Sequence, residues 1–425
     1  MDLSLIKTRD EAFDLLDGYA EERKADLSQR HTRRPLVKSY LLETAPHEHV
    51  ETDVNVIFGK AGCSLKPLDE ALFRIFDENK GEYVGLLEKL INRHPVIYTT
   101  NNSDVMDPWI KKLVASSPAL DHLWLSGRAF EELLEIVFRR TPEHRYIKLA
   151  FQHENFYESN MESTPNLMEY QEEEEEDALS IVNSFTNELD DDYVPERRKT
   201  TFTLTDRLSV IKKLMPEMRN YYTPVHSITL LRFPSLTRSG GHDFYYNGKV
   251  TNRSNSFTDH RQHLEFVLKI YKRAIEATEQ MAWQHTEKTT IATASQVQPL
   301  IGAPVLIKFS EPLSQSVFDN FITNTFHRNP NRFRLWGNPI QLGPRKVHVY
   351  GIDRHLWQQI FLEITERQIV AILPRGTCGN TVHRLVTNVQ QFLDPGVQVW
   401  VGDKEYSDLI KVEPDIRSIY DDHKT

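Results

Sequence analysis

Residues 226–283 read HSITLLRFPSLTRSGGHDFYYNGKVTNRSNSFTDHRQHLEFVLKIYKRAIEATEQMAW. His226 to Phe233 reads as an apolar strand, Gly240-Gly241 as a break and Asn247-Gly248 as the turn of a hairpin. A long amphipathic helix follows, with Leu264, Val267, Leu268, Tyr271, Ile275, Thr278 and Ala282 on one face, so it packs against a core. Between strand and helix the chain concentrates groups that bind anions or move protons: His242, Asp243, Tyr245, Asn252, Arg253, Asp259, His260 and Arg261.

Outward from this stretch, strands and helices alternate. On the C-terminal side come a strand at 305–309, a helix at 315–326, strands at 332–336 and 346–350, and a helix at 354–364. A strand at 369–373, a helix at 381–393 and a strand at 397–401 complete that side. On the N-terminal side a helix at 3–27 leads to a second at 67–92 and a strand at 94–99. Asp107-Pro108-Trp109 opens another helix. A strand at 120–125, a helix at 130–138 capped by Ser126, and a strand at 146–151 follow. This alternation is the grammar of βαβ units. The expected fold is α/β, in two or three domains with mainly parallel or mixed sheets. The regions are 1–153, with a leading helix; 199–286; and 304–425. Between the first two, 154–198 is expected to be a disordered acidic linker.

Charge supports that division. The net charge of −10 hides a segment, Glu154 to Glu196, with 15 acidic residues and no Lys or Arg. From Arg197 onward the balance is +9, and over the first 153 residues it is −4. A self-repelling acidic stretch with little to bury does not fold alone, although it can mimic nucleic acid. No apolar run of eighteen residues exists, which excludes a spanning helix. Two cysteines, Cys63 and Cys378, exclude a disulfide framework and a cysteine-rich zinc site, and point to the cytoplasm.

Three arrangements carry candidate chemistry. In AILPRGTCGNTVHRLVTNVQQFL a strand enters a helix through a glycine-containing turn. There Arg375, Gly376, Gly379, Asn380, His383 and Arg384 surround free helix N–H groups that favour an anion. The Lys-Ser/Thr ending of a P-loop is absent. Secondly, His and Arg are neighbours seven times, where random placement gives roughly two. Three of these pairs, His260-Arg261, Arg354-His355 and His383-Arg384, fall in the first turn of an expected helix, where a bound phosphate would offset the unfavourable dipole. Thirdly, His242, Asp243 and His260 form a candidate acid-base or metal-sharing group, with Arg253 or Arg261 to steady a phosphate. His47 and His49 share a face if extended, but no third ligand accompanies them.

These features imply a cytoplasmic, phosphate- or nucleic-acid-binding component of a larger nucleic-acid-processing or defence-like assembly, with a protein partner and no membrane. One alternative is a phosphodiesterase or nucleotide hydrolase using the His/Asp/Arg group. The other is a non-catalytic scaffold. The sequence leaves any cofactor or metal unidentified.

Overall fold

The computed structural model describes residues 3–29, 34–44, 53–154, 156–157, 199–236, 240–286, 300–326 and 331–411. The acidic linker after residue 157 and the His47/His49 pair lie outside the described residues.

The first half comprises α1 (Arg9–Gln29), β1 (Lys38–Glu43), α2 (Val54–Lys60), β2 (Cys63–Pro67), β3 (Leu72–Asp77), β4 (Glu82–Ile91), β5 (His94–Thr99) and α3 (Ser103–Ser116). It continues through β6 (Asp121–His122), α4 (Gly127–Arg140), β7 (Tyr146–Glu154), β8 (Lys199–Arg207), α5 (Leu208–Tyr221), β9 (Ile228–Pro234), β10 (Gly241–Tyr245), β11 (Lys249–Asn252) and α6 (Phe257–Ala282). Its strands form one sheet in the order β2-β3-β4-β5-β1-β11-β10-β9-β7-β8, with β6 against β1. Residues 1–153 and 199–286 therefore share a sheet. The second half holds β12 (Trp283–Thr286), β13 (Leu300–Ile301), β14 (Val305–Lys308), α7 (Gln315–Phe326), β15 (Leu335–Gly343), β16 (Lys346–Asp353), β17 (Gln358–Thr365) and β18 (Gln368–Pro374). It ends with α8 (Asn380–Phe392), β19 (Gln398–Val401), β20 (Lys404–Glu405) and α9 (Tyr406–Ile410). The main path of this second sheet runs β15-β16-β17-β18-β14-β19-β20.

The expectation of mainly parallel or mixed βαβ sheets is overturned. Every pairing in the first sheet is antiparallel, and among the described residues only the short β12–β18 contact is parallel. Two misread segments contribute to the error, and the strands read correctly at 94–99 and 146–151 pair antiparallel with β1, β4, β8 and β9 rather than with each other. Residues 67–92 are not a helix but the end of β2 with β3 and β4, and residues 354–364 are a turn followed by β17. Reading them as strands replaces an expected helix before the 94–99 strand, and an expected crossover between the 346–350 and 369–373 strands, by antiparallel hairpins. Asp77 closes the β3–β4 turn by accepting from the backbone N–H of Asn79 and Lys80, and Gly81 sits at φ 70°.

The hairpin and helix expected in 226–283 form as read, with Gly248 at φ 78°. Leu264, Val267, Leu268, Tyr271 and Ile275 pack with Leu41, Leu231, Phe244 and Val250 on one face of the first sheet. On β1, Tyr40 and Leu42 point the other way, into a second core with α2 and α3, as strand alternation requires. The start of α6 is held by Asp17 of α1, whose carboxylate accepts from the N–H groups of Phe257 (2.6 Å) and Thr258 (3.1 Å). A carboxylate there satisfies orphan donors and complements the helix dipole. Asp17→Ala is expected to lower stability by about 1–2 kcal/mol, read as a shift in urea midpoint with unchanged slope.

Candidate functional site

Three features hold the chemistry: a histidine cluster in the first half, an ion network between the halves, and the uncovered face of the second sheet. The first lies between β10 and α6. Successive strand residues face opposite sides, so His242 and Asp243 separate. Asp243 accepts from Arg232 Nη2 (2.9 Å) and Arg253 Nε. His242 faces α6, where Asp259 and His263, four residues apart, share a face. His242 Nε2 lies 3.0 Å from Asp259 Oδ2, and His242 Nδ1 lies 3.1 Å from His260 Nδ1. His260 Nε2 is 2.7 Å from Ser39 Oγ.

Burial, with His263 adjacent, pushes His242 down to about 4. Burial and the neighbouring histidines hold His260 well below its ordinary value. Burial opposes ionisation of Asp259, but hydrogen bonds from His242 and His263 outweigh it and its pKa falls. Neutral imidazoles beside a carboxylate give one consistent relay: Ser39 O–H donates to His260, His260 N–H to His242, and His242 N–H to Asp259. The expected trio of His242, Asp243 and His260 is thus corrected. Asp259 is the carboxylate partner, and the cluster is buried, so no substrate reaches it in this conformation.

The anion sites expected at helix starts are filled from within. At α8, Gly379 N–H donates to Glu279 Oε1 at 2.8 Å. Asn380 binds Asp121 Oδ2 (3.1 Å) and the carbonyl of His122 (3.0 Å). His383 Nδ1 meets the Tyr406 hydroxyl, and Arg384 bridges Asp121 and Asp353. At α6, Arg261 grips Glu88, with Nη2 to Oε1 at 2.8 Å. Arg354 and His355 lie in the turn between β16 and β17 rather than on a helix, and His355 Nδ1 bonds the carbonyl of Pro118. Gly376, at φ 104°, shapes the turn before α8. Of this group Arg375 is exposed.

These bonds belong to a network joining the halves. Arg93 of the first half pairs with Glu43 and Glu279 and lies 3.2 Å from Cys378 Sγ. Arg334 of the second reaches Asp121 and the carbonyls of Leu120 and Val114. Burial disfavours the Asp121 charge, yet Arg384 and Arg334 hold its carboxyl well below the usual range. For Glu43, burial is likewise outweighed by His94 and Arg93. Arg93 and Arg334 both take positive φ, as do Leu356 and Trp357, and Leu356 N–H donates across the junction to Pro118. Strain of this kind persists where surrounding bonds over-determine it. Glu43, Asp121, Glu279 and Asp353 carry no local sequence signature of this pairing, because the arginines that bind them lie far along the chain.

The third feature is the second sheet. Val347, Val349, Ile360, Leu362, Ile369 and Ala371 face α7 and α8 in the core. The opposite face has no helix over it among the described residues, and leaves Trp336 53% and Tyr350 58% exposed, with Ile340 and Ile372 nearby. Tyr350 and Phe361 are cross-strand partners with ring centroids 5.5 Å apart, edge to face. Lys346 and His348 share Glu363, and Arg345 and Arg367 share Glu366. β15 is the outer strand, and Pro339 within it blunts further strand pairing.

A family model for MJECL33-like proteins matches residues 1–407. The chain belongs to that family. It is similar to the protein MJECL33 of Methanocaldococcus jannaschii, at 24% identity over 407 residues, covering 92% of this chain and 93% of that one. No solved structure matches. In this MJECL33-like protein the matched residues include all three features. No described helix is long and apolar enough to cross a membrane. Of the three, the buried clusters hold protons and charges in place, whereas the sheet face exposes rings and cations to solvent.

Proposed function

We propose that this chain binds single-stranded nucleic acid on the open face of its second sheet. The observation that carries the reading is the exposed Tyr350 ring beside Phe361 and Trp336, bordered by basic side chains. Bases stack on aromatic rings with little sequence preference, at about 1–3 kcal/mol per base, while cations follow the backbone. Three cations, Arg345, Lys346 and Arg367, share two carboxylates, Glu363 and Glu366, so the border keeps positive charge for phosphates. Lys308 adds another by strand alternation, opposite Gln368. Arg253, Arg261 and Arg384 are paired with buried carboxylates, which favours this face over them as the binding surface. Duplex is disfavoured, because its rings are already stacked.

Fluorescence anisotropy with a labelled single-stranded oligonucleotide tests this at several salt concentrations. The double variant Trp336→Ala/Tyr350→Ala is expected to lose at least tenfold in affinity with its thermal midpoint nearly unchanged. Lys346→Glu should weaken binding and flatten the salt dependence. If wild type fails to bind at low salt, or the aromatic double variant binds as tightly as wild type, the reading is wrong. In that case the face is left as a surface for a protein partner.

A further inference from the structure

We propose that His242, Asp259 and His263 form a binding site for a divalent transition-metal ion of the zinc class. One donor atom from each residue lies within 4.8 Å of the others, and all three side chains are buried. Asp259 Oδ2 is 3.0 Å from His242 Nε2, and Asp259 Oδ1 is 3.2 Å from His263 Nδ1. Ligands at about 2.0–2.2 Å around a tetrahedral ion stand about 3.3 Å from one another, so His242 Nε2 and Asp259 Oδ2 already stand near ligand spacing, with a His263 nitrogen within 4.8 Å. Two imidazoles and one carboxylate are a donor set that suits zinc and its neighbours.

The surroundings supply the outer partners that such ligands use. His263 Nδ1 lies 2.9 Å from the carbonyl oxygen of Asp259; donation there leaves Nε2 with the lone pair. Ser235 Oγ and the Leu236 N–H donate to the Asp259 carboxylate and fix its orientation. For His242, binding through Nε2 requires its proton to sit on Nδ1. The relay permits this without net proton release. His242 Nδ1–H then donates to His260 Nδ1, His260 Nε2–H donates to Ser39 Oγ, and Ser39 turns its own proton elsewhere. Each histidine carries one proton before and after, and the carboxylate stays ionised. The ion would join β10 to α6 and contribute to folding, because the unfolded chain holds no such arrangement.

The test uses full-length protein purified from zinc-supplemented cells, then stripped with a chelator and titrated with Co2+. Elemental analysis should find about one zinc per chain before stripping. Removal should lower the thermal midpoint, and Co2+ should restore it with a visible absorption band of the kind low-symmetry coordination gives. His263→Ala should lose the stoichiometric metal, and the surface variant Tyr350→Ala should keep it. His263→Ala also removes a buried side chain, so the stripped wild-type protein is the decisive sample. Substoichiometric zinc, with neither a Co2+ band nor a midpoint shift on adding Zn2+ or Co2+, overturns the proposal. Nucleic-acid binding is scored separately on the same samples, so either reading can fail alone.

Discussion

Replacing Arg384 by alanine is expected to lower stability by about 3–5 kcal/mol, the usual cost of leaving a buried charge without its partner. The guanidinium is 1% exposed and bonds Asp121 and Asp353, both fully buried, while its Nε donates to the Phe333 carbonyl at 2.9 Å. Alanine leaves two buried carboxylates, with Arg334 at Asp121 as the remaining cation paired to either among the described residues. The triple variant Asp121→Asn/Arg384→Met/Asp353→Asn removes charge on both sides, so it should be less destabilised than Arg384→Ala alone. Urea denaturation of the two variants beside wild type measures this. Equal losses would mean that packing around α8, not charge compensation, sets the cost.

Acid is the second large lever. Burial pushes His383 down to about 4, while an unfolded histidine titrates near 6.5. The unfolded chain therefore binds this proton first as pH falls, and stability drops with it. The contribution is fully present above about pH 6.5 and is lost progressively down to about pH 4, on the order of 3 kcal/mol. Burial also lowers His355, which acts in the same direction. Thermal midpoints measured from pH 7.5 to 4.5 should fall for wild type and fall less steeply for His383→Gln. Parallel curves for the two proteins would exclude His383 as a source of the loss.

How far the sequence discloses this molecule depends on whether the signal is local. The Asn247-Gly248 turn, the Ser126 cap of α4, which accepts from Ala129 N–H, the apolar face of α6 and the bounds of α7 are all set by neighbours within a few residues. Sheet direction is not. It hinged on 67–92 and 354–364, whose apolar residues satisfy a helical pattern as well as an alternating one, so the turn at Asp77–Gly81 was the better guide. Of the seven His-Arg neighbours, three place their arginine on a buried carboxylate. Arg93, Arg261 and Arg384 answer Glu43, Glu88 and Asp121, residues that only folding brings to them. In the candidate site, His242 and His260 could be paired from the sequence. Strand alternation then removes Asp243 and substitutes Asp259, a consequence visible only once β10 is known to face α6.

Ultraviolet cross-linking of the full-length protein to a single-stranded oligonucleotide, followed by peptide mass mapping, tests the proposed function most directly. The account predicts attachment at Trp336, Tyr350 and Phe361, reduced by high salt and competed by unlabelled single strand more than by duplex. Attachment confined to the Arg253–Arg261 region, or none at all under conditions where binding is seen, would contradict it.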